Sequence, residues 1–205
     1  EVDAILDRTG TTISSDIYGH IDCCVKLSGM PDLLMTFINP QLMDDVALHA
    51  CVRLRRWETE RLLSFVPPDG SFRLMNYHIG NLAAVAIPLC VRHSLSFQNG
   101  EGKLDLTITA KQTMGRTLEN VSLEIYCPLT VISCSLSTTQ GRYTFDPVIH
   151  LLVWEVGKMD LGRSPNLRGS IILQAGTSYP EGSSSIRVHF TINQLAISGL
   201  KVSRL

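Results

Sequence analysis

Residues 49–78 run HACVRLRRWETERLLSFVPPDGSFRLMNYH, and the parsing of this stretch decides the fold class. Val52 and Leu54 alternate with Arg53 and Arg55, Leu62 to Val66 is an apolar β-prone run, and Phe72, Leu74 and Asn76 alternate with Arg73, Met75 and Tyr77. A period of two belongs to strands. Between the runs lies Pro67-Pro68-Asp69-Gly70. Proline presets φ, Asp bonds its own backbone and Gly supplies a positive φ, so strand, turn, strand is expected, with the tetrapeptide closing a hairpin. The stretch holds no nucleophile elbow and no phosphate loop.

The same period extends outward. In Thr12 to Leu27, Ile17, Gly19, Ile21, Cys23, Val25 and Leu27 share one face, while Asp16, Tyr18, His20, Asp22, Cys24 and Lys26 share the other. Val2 to Leu6 is a short apolar run before a turn at Arg8-Thr9-Gly10-Thr11, and Leu33 to Ile38 is a strand stopped by Asn39-Pro40. Further on, Asn81 to Phe97 is apolar and β-like, and Asn99-Gly100-Glu101-Gly102 has hairpin composition. Leu104, Leu106 and Ile108 then alternate with polar residues, as do Val121, Leu123 and Ile125. Strands are also expected at Tyr143–Phe145, Leu151–Val156, Ser170–Leu173 and Ile186–Ile192. Gly141-Arg142, Asp160 to Pro165 and Gly176 to Ser185 read as surface loops. No segment has a helical period. The fold class expected is all-β, built from antiparallel sandwiches.

Length and charge narrow the function. The 205 residues carry a formal net charge of -1, which disfavours nucleic acid as the partner. The longest apolar run, Leu82 to Val91, is interrupted by Pro88 and is about half of what a membrane span needs. A soluble chain in the reducing cytosol is expected, with its six cysteines as free, packed thiols rather than disulfides.

Candidate chemistry is thin. His49 and Cys51 point to the same side of a strand, but no further ligands complete a metal set, so packing is the better reading. Glu58, Glu60 and Arg61 suit surface ion pairs with Arg53, Arg55 and Arg56 better than a catalytic carboxylate pair. Those arginines also fit acidic lipid headgroups at a membrane surface. Trp57 is expected in packing. No enzyme activity, cofactor or metal is expected. A many-stranded sandwich with exposed edges and no reaction centre points to peptide binding along a strand edge.

The central stretch is similar to a known signature. His49-x-Cys51-Val52-Arg53-Leu54, then Glu60-Arg61, then Ser64-Phe65-x-Pro67-Pro68-Asp69-Gly70-x-Phe72 resembles the mu homology domain, the cargo-binding half of the medium (mu) chains of clathrin-type adaptor complexes. The likeness extends to Leu27-Ser28-Gly29-Met30-Pro31 and Ser198-Gly199-Leu200-Lys201-Val202 and so covers nearly the whole chain. Asp3-Ala4-Ile5, Arg56-Trp57-Glu58, Phe145-Asp146-Pro147-Val148 and Gln194-Leu195-Ala196-Ile197-Ser198 look most like the branch that serves the third adaptor complex, in traffic from endosome to lysosome.

The resemblance implies two β-sandwich subdomains, the second inserted into the first. These are residues 1–82 plus 196–205 as the signal-binding sandwich and 83–195 as the insert. It implies recognition of Tyr-x-x-Φ sorting signals, where Φ is a bulky apolar residue, in cytosolic tails of membrane cargo. The implied setting is peripheral contact with Golgi, endosomal and vesicle membranes, alongside other adaptor subunits. Val202 and Leu205 match two positions lining the Φ pocket. Cys24 falls where the family's best-known member has a lysine that approaches the tyrosine hydroxyl; a thiol is a weaker partner, and Lys26, on the same face, is the compensating candidate. The family's tyrosine-binding Phe-x-Asp segment falls before Glu1, and its signal-pairing strand after Leu205. The alternative is a structural scaffold domain that docks other subunits and reads no signal.

Overall fold

A computed structural model describes residues 1–7, 11–80, 87–98, 101–111, 115–177 and 185–205. The turn expected at 8–10, the start of the apolar segment at 81–86, which holds the expected boundary at 83, the hairpin tip at 99–100 and the loop at 178–184 lie outside the described residues. The chain divides into two compact units. One joins Glu1–Ala86 to Ala196–Leu205, and the other is the continuous segment Ile87–Leu195.

In the first unit the strands β1 (Val2–Leu6), β2 (Thr12–Val25), β3 (Leu33–Ile38) and β4 (Asp45–Leu48) precede a helix α1 (Leu54–Glu60), which leads to β5 (Leu63–Phe65) and β6 (Gly70–Gly80). The second unit holds β7 (Leu89–Gln98), β8 (Glu101–Ala110), β9 (Leu118–Tyr126), β10 (Val131–Thr138), β11 (Arg142–Asp146), β12 (Leu151–Met159), β13 (Asn166–Leu173) and β14 (Ile186–Ile192). The chain then returns to the first unit for β15 (Lys201–Arg204). All strand pairings are antiparallel, as the period of two requires.

Among its described residues the first unit has two sheets, ordered β1-β2-β6-β4 and β15-β3-β5. Ile17 of β2 and Leu74, Met75 and Ile79 of β6 meet Met35 and Phe37 of β3 and Leu63 and Phe65 of β5 in one buried cluster. In the second unit the sheets are β10-β13-β8-β7 and β11-β12-β9-β14. Leu104, Leu106 and Ile108 fall on the inner face of one, and Val121, Leu123, Ile125, Leu152 and Trp154 on the inner face of the other. Trp154 is fully buried, and its indole N–H donates to the Gln140 carbonyl at 3.0 Å, so its one polar atom is satisfied.

Two expectations for residues 49–78 are corrected. Leu54–Glu60 is an α-helix, not the continuation of a strand. Its residues are mostly strong helix formers, Arg56 grips Glu60 one turn on through two hydrogen bonds of 3.0 and 2.8 Å, and Arg61 in the left-handed region ends it by donating its N–H to the Trp57 carbonyl. Four alternating residues fit one turn of helix as well as a strand, and a helix this short shows no full period. Glu58 and Glu60 therefore sit on a helix, with Trp57 its only buried residue.

Nor does Pro67-Pro68-Asp69-Gly70 close a hairpin. Strand β5 pairs with β3, whereas β6 pairs with β2 and β4, so the tetrapeptide carries the chain from one sheet to the other. Two successive prolines offer no N–H to a ladder between β5 and β6. Gly70 does take the expected positive φ, 92°.

Helix α1 matters because Trp57, 2% exposed, meets Phe37 of β3 edge to face at a centroid separation of 6.4 Å. Replacing Trp57 by Ala is expected to cost about 3–5 kcal/mol in urea unfolding of the first unit, against less than about 0.5 kcal/mol for Leu54→Ala, which is 57% exposed on the same helix. Equal losses for the two variants contradict the packing described.

Candidate functional site

Strand β15 lies at the end of its sheet, antiparallel to β3, with Lys201 opposite Ile38, Val202 opposite Phe37 and Arg204 opposite Thr36. Ser203 is the extra residue of a bulge, and its hydroxyl pairs with that of Thr36 at 2.7 Å. A bulge re-aims the side chains beside it. All four residues of the strand are exposed; Val202 is 48% and Leu205 70% accessible. Two aliphatic side chains thus stand in water at the margin of a sheet. That is an unfavourable placement unless something covers them.

The route by which the chain reaches this position is built from small residues. Gly19 of β2 is opposite Tyr77 of β6, and the tyrosine ring occupies the space a Cβ at Gly19 needs. Lying there, the ring places its hydroxyl 3.1 Å from that of the buried Ser198, while Ile197 and Leu200 pack against the core cluster. Ser198 also accepts from the Leu200 N–H at 3.3 Å. The returning segment is therefore pinned at Ser198, three residues before β15 begins, and packed at Leu200.

Cys24 is exposed on β2 opposite Ser71, and Lys26 is exposed one residue past the end of that strand. The polar face read from the sequence holds Cys24 and Lys26 outward, with Cys23 half-buried on the other side. Cys24 and Val202 thus belong to different sheets of the same unit. Among the described residues no hydrogen bond or ion pair links Cys24 or Lys26 to Val202 or Leu205.

Charges near the helix are committed to one another. Arg53 bonds Asp32 at 2.6 Å and also the Ser64 hydroxyl, Arg56 bonds Glu60, and Arg73 bonds Asp22 at 2.8 Å. Hydrogen bonds from these guanidinium groups hold the carboxyls of Asp32, Glu60 and Asp22 below the usual carboxylate range. Arg61 lies over the Trp57 ring, 5.5 Å from its centroid. Arg53 and Arg56 are thereby neutralised locally, which weakens the lipid-headgroup reading of this stretch, and Glu60 is not half of a carboxylate pair. His49 accepts the Cys51 N–H on Nδ1 at 3.2 Å and packs its ring 5.1 Å from that of Phe72. Among the described residues no cluster of three or more His, Cys, Asp or Glu is placed to hold a metal ion, and no helix is long and apolar enough to cross a membrane. Two shallow depressions of about 540 and 410 Å³ are lined by residues of the second unit, such as Phe145, Ile149 and Val153 in one and Lys103, Arg168 and Ser170 in the other.

The family described as the adaptor complexes medium subunit family matches residues 1–205. The chain is 50% identical over 207 residues to the AP-3 complex subunit mu-1 of Homo sapiens, covering 100% of this chain and 50% of that protein. It thus spans about half the length of such relatives. Among solved structures it is similar to the yeast delta-COP-I mu-homology domain, with a TM-score of 0.65 at 13% identity over 98% of this chain and 83% of that one. It is also similar to the Fcho1 mu homology domain of Danio rerio with bound Eps15 peptide, with a TM-score of 0.62 at 12% identity over 92% of this chain and 79% of that one. At these identities the structural likeness establishes the fold.

Burial pushes the thiols of Cys23 and Cys51 up, while Cys24 stands in solvent. A raised thiol holds less thiolate at neutral pH, so Cys24 is expected to react with an alkylating reagent at least about ten times faster than either. Peptide-resolved mass spectrometry after brief labelling checks this; comparable rates at all three positions contradict the outward placement of Cys24.

Proposed function

The chain belongs to the adaptor complexes medium subunit family, and from that premise we propose that it is a cargo-recognition module binding Tyr-x-x-Φ signals in the cytosolic tails of membrane proteins. The observation that carries this reading is the pair of exposed aliphatic side chains, Val202 and Leu205, three residues apart on and just beyond the bulged edge strand β15. They supply part of an apolar hollow for the Φ side chain, and an extended tail segment is the ligand whose main chain fits beside a sheet margin. Cys24 and Lys26 stand outward on the neighbouring sheet and contribute on the side of the signal's tyrosine, with the Lys26 ammonium as the stronger hydrogen-bond donor. That a similar fold, the Fcho1 domain, holds a bound peptide is consistent with this use of the architecture.

The module works without chemistry: it makes and breaks no covalent bond and takes no cofactor. Its setting is the cytoplasmic face of Golgi, endosomal and vesicle membranes, reached as a peripheral component together with other adaptor subunits. Occupancy of the hollow by a cargo tail then couples that cargo to vesicle formation on the endosome to lysosome route.

Titrating the full-length medium chain with a labelled Tyr-x-x-Φ peptide and with its Tyr→Ala control tests the reading. Binding of the first and loss of binding by the second are expected; equal affinity removes signal recognition and leaves a scaffold role. Val202→Ser or Leu205→Ser is expected to weaken binding by about 1 to 3 kcal/mol, roughly five- to 150-fold in Kd, through lost apolar burial. Both positions are exposed, so folding is preserved, and an unchanged Kd takes these residues out of the hollow.

A further inference from the structure

Among the described residues the strands at the margins of the four sheets are β1, β4, β5, β7, β10, β11, β14 and β15, and charge separates them. Strand β15 carries two like charges, Lys201 and Arg204; β14 carries Arg187 and His189, and β7 carries Arg92 and His93. A lone carboxylate marks β1 and another β4, and β5 and β10 have no charge. Strand β11 alone among them has opposite charges at its two ends: Arg142-Tyr143-Thr144-Phe145-Asp146. Its margin is open. Among the described residues β11 pairs only with β12, and no other backbone hydrogen bond reaches it. Arg142, Thr144 and Asp146 are exposed, while Tyr143 and Phe145 pack against the core. Both end charges keep capacity for a further partner. Arg142 donates Nε to Glu155 at 2.5 Å, which leaves its terminal nitrogens, and Asp146 accepts the Val148 and Ile149 N–H groups on Oδ1 at 2.8 and 3.3 Å, which leaves Oδ2. Apolar surface is also left uncovered there: the hollow of about 540 Å³ is lined by Phe145, Pro147, Ile149, Leu151 and Val153, and Val148 beside it is 83% exposed.

We propose that β11 is a homotypic docking edge, to which a second copy of this chain adds its own β11 antiparallel and in register about Thr144. The sheet then runs on across a two-fold axis through that residue. Charge specifies both orientation and register. In the antiparallel pair Arg142 of each copy is opposite Asp146 of the other, and Tyr143 is opposite Phe145, so symmetry makes each favourable contact twice. A parallel pair sets Arg142 against Arg142 and Asp146 against Asp146. A slip of two residues takes both charges away from their partners. Any other strand has to supply a matching cation and anion at this spacing, whereas a second copy has them already. Asp146 is paired with Leu151 across the ladder, so the stem of the second copy's Arg142, on its way to Asp146, lies beside the apolar lining of the hollow. A ladder of five residues is small for a permanent dimer, so the association is weak and reversible. None of these residues belongs to the candidate signal site.

Sedimentation equilibrium of the full chain, taken up to about 1 mM, is expected to show monomer and dimer in exchange. Arg142→Asp sets carboxylates against each other at both ends of the pair, and Asp146→Arg does the same with cations; each is expected to weaken the dimer at least about tenfold. The double variant exchanges the two charges and is expected to recover the dimer to within about threefold of the original Kd. Damage to one copy explains a loss in a single variant but not that recovery. A covalent readout stands even if a charge variant fails to fold. In Thr144→Cys two thiols face each other across the axis, and mild oxidation is expected to link tryptic peptide 143–158, which has no native cysteine, to itself. Val148→Cys, in the same peptide and highly exposed, is expected to give no such link. A chain that stays monomeric over the whole range overturns the proposal, as does a dimer indifferent to the single reversals. So does a folded double variant without recovery, or self-linking of Val148→Cys as fast as that of Thr144→Cys.

Discussion

Val202 is opposite Phe37, and Phe37 is wedged edge to face against Trp57. The candidate site depends on this contact. Among the described residues strand β15 pairs only with β3, so whatever fixes β3 fixes the exposed aliphatic pair. A buried aromatic pair contributes roughly 0.5–1.5 kcal/mol beyond its area. Helix α1, on which Trp57 is the single buried residue, presents that indole to the core and leaves its charged face in water. The second attachment is the Tyr77–Ser198 hydrogen bond, which exists because Gly19 leaves room for the tyrosine ring. Core packing and one buried polar contact together place a strand that itself buries almost nothing.

Much of the architecture is visible in the chain because a half-buried strand must alternate. Ile17, Ile21 and Cys23 against Tyr18, His20 and Asp22 is a pattern a helix does not make, and the burial along β2 follows it. Leu104, Leu106 and Ile108 do the same in the second unit. The failures share a cause. Leu54–Glu60 has two turns of good helix formers and one buried face residue, too few positions for a 3.6 period to emerge, and the neighbouring Val52 and Leu54 mimic alternation. The Pro67–Gly70 segment has genuine turn chemistry, but local chemistry specifies a reversal and not the partner strand. Short β4 has no strong period of its own, and β13 begins at Asn166, before the run that marks it.

The site is less legible than the fold. Exposure of Val202, Leu205, Cys24 and Lys26 follows from structure; composition alone makes two aliphatic residues near the end of a strand look like core. The bulge at Ser203 has no sequence signature, yet it sets where Val202 points. Surface ion pairs are expected for the arginines of this stretch, and Arg56 does meet Glu60. The partner of Arg53 is Asp32, twenty-one residues away, which local spacing does not indicate. Cysteines, read as packed thiols, separate in the structure into an exposed thiol at Cys24 and half-buried thiols at Cys23, Cys51, Cys90, Cys127 and Cys134.

The central claim is that Val202 and Leu205 line the hollow that takes the Φ side chain of a cargo tail. Methyl NMR of the labelled protein tests it most directly. The account predicts that the Val202 and Leu205 methyl resonances shift saturably with a Tyr-x-x-Φ peptide and stay fixed with its Tyr→Ala counterpart. A peptide that binds while both sets of methyls remain unmoved contradicts it.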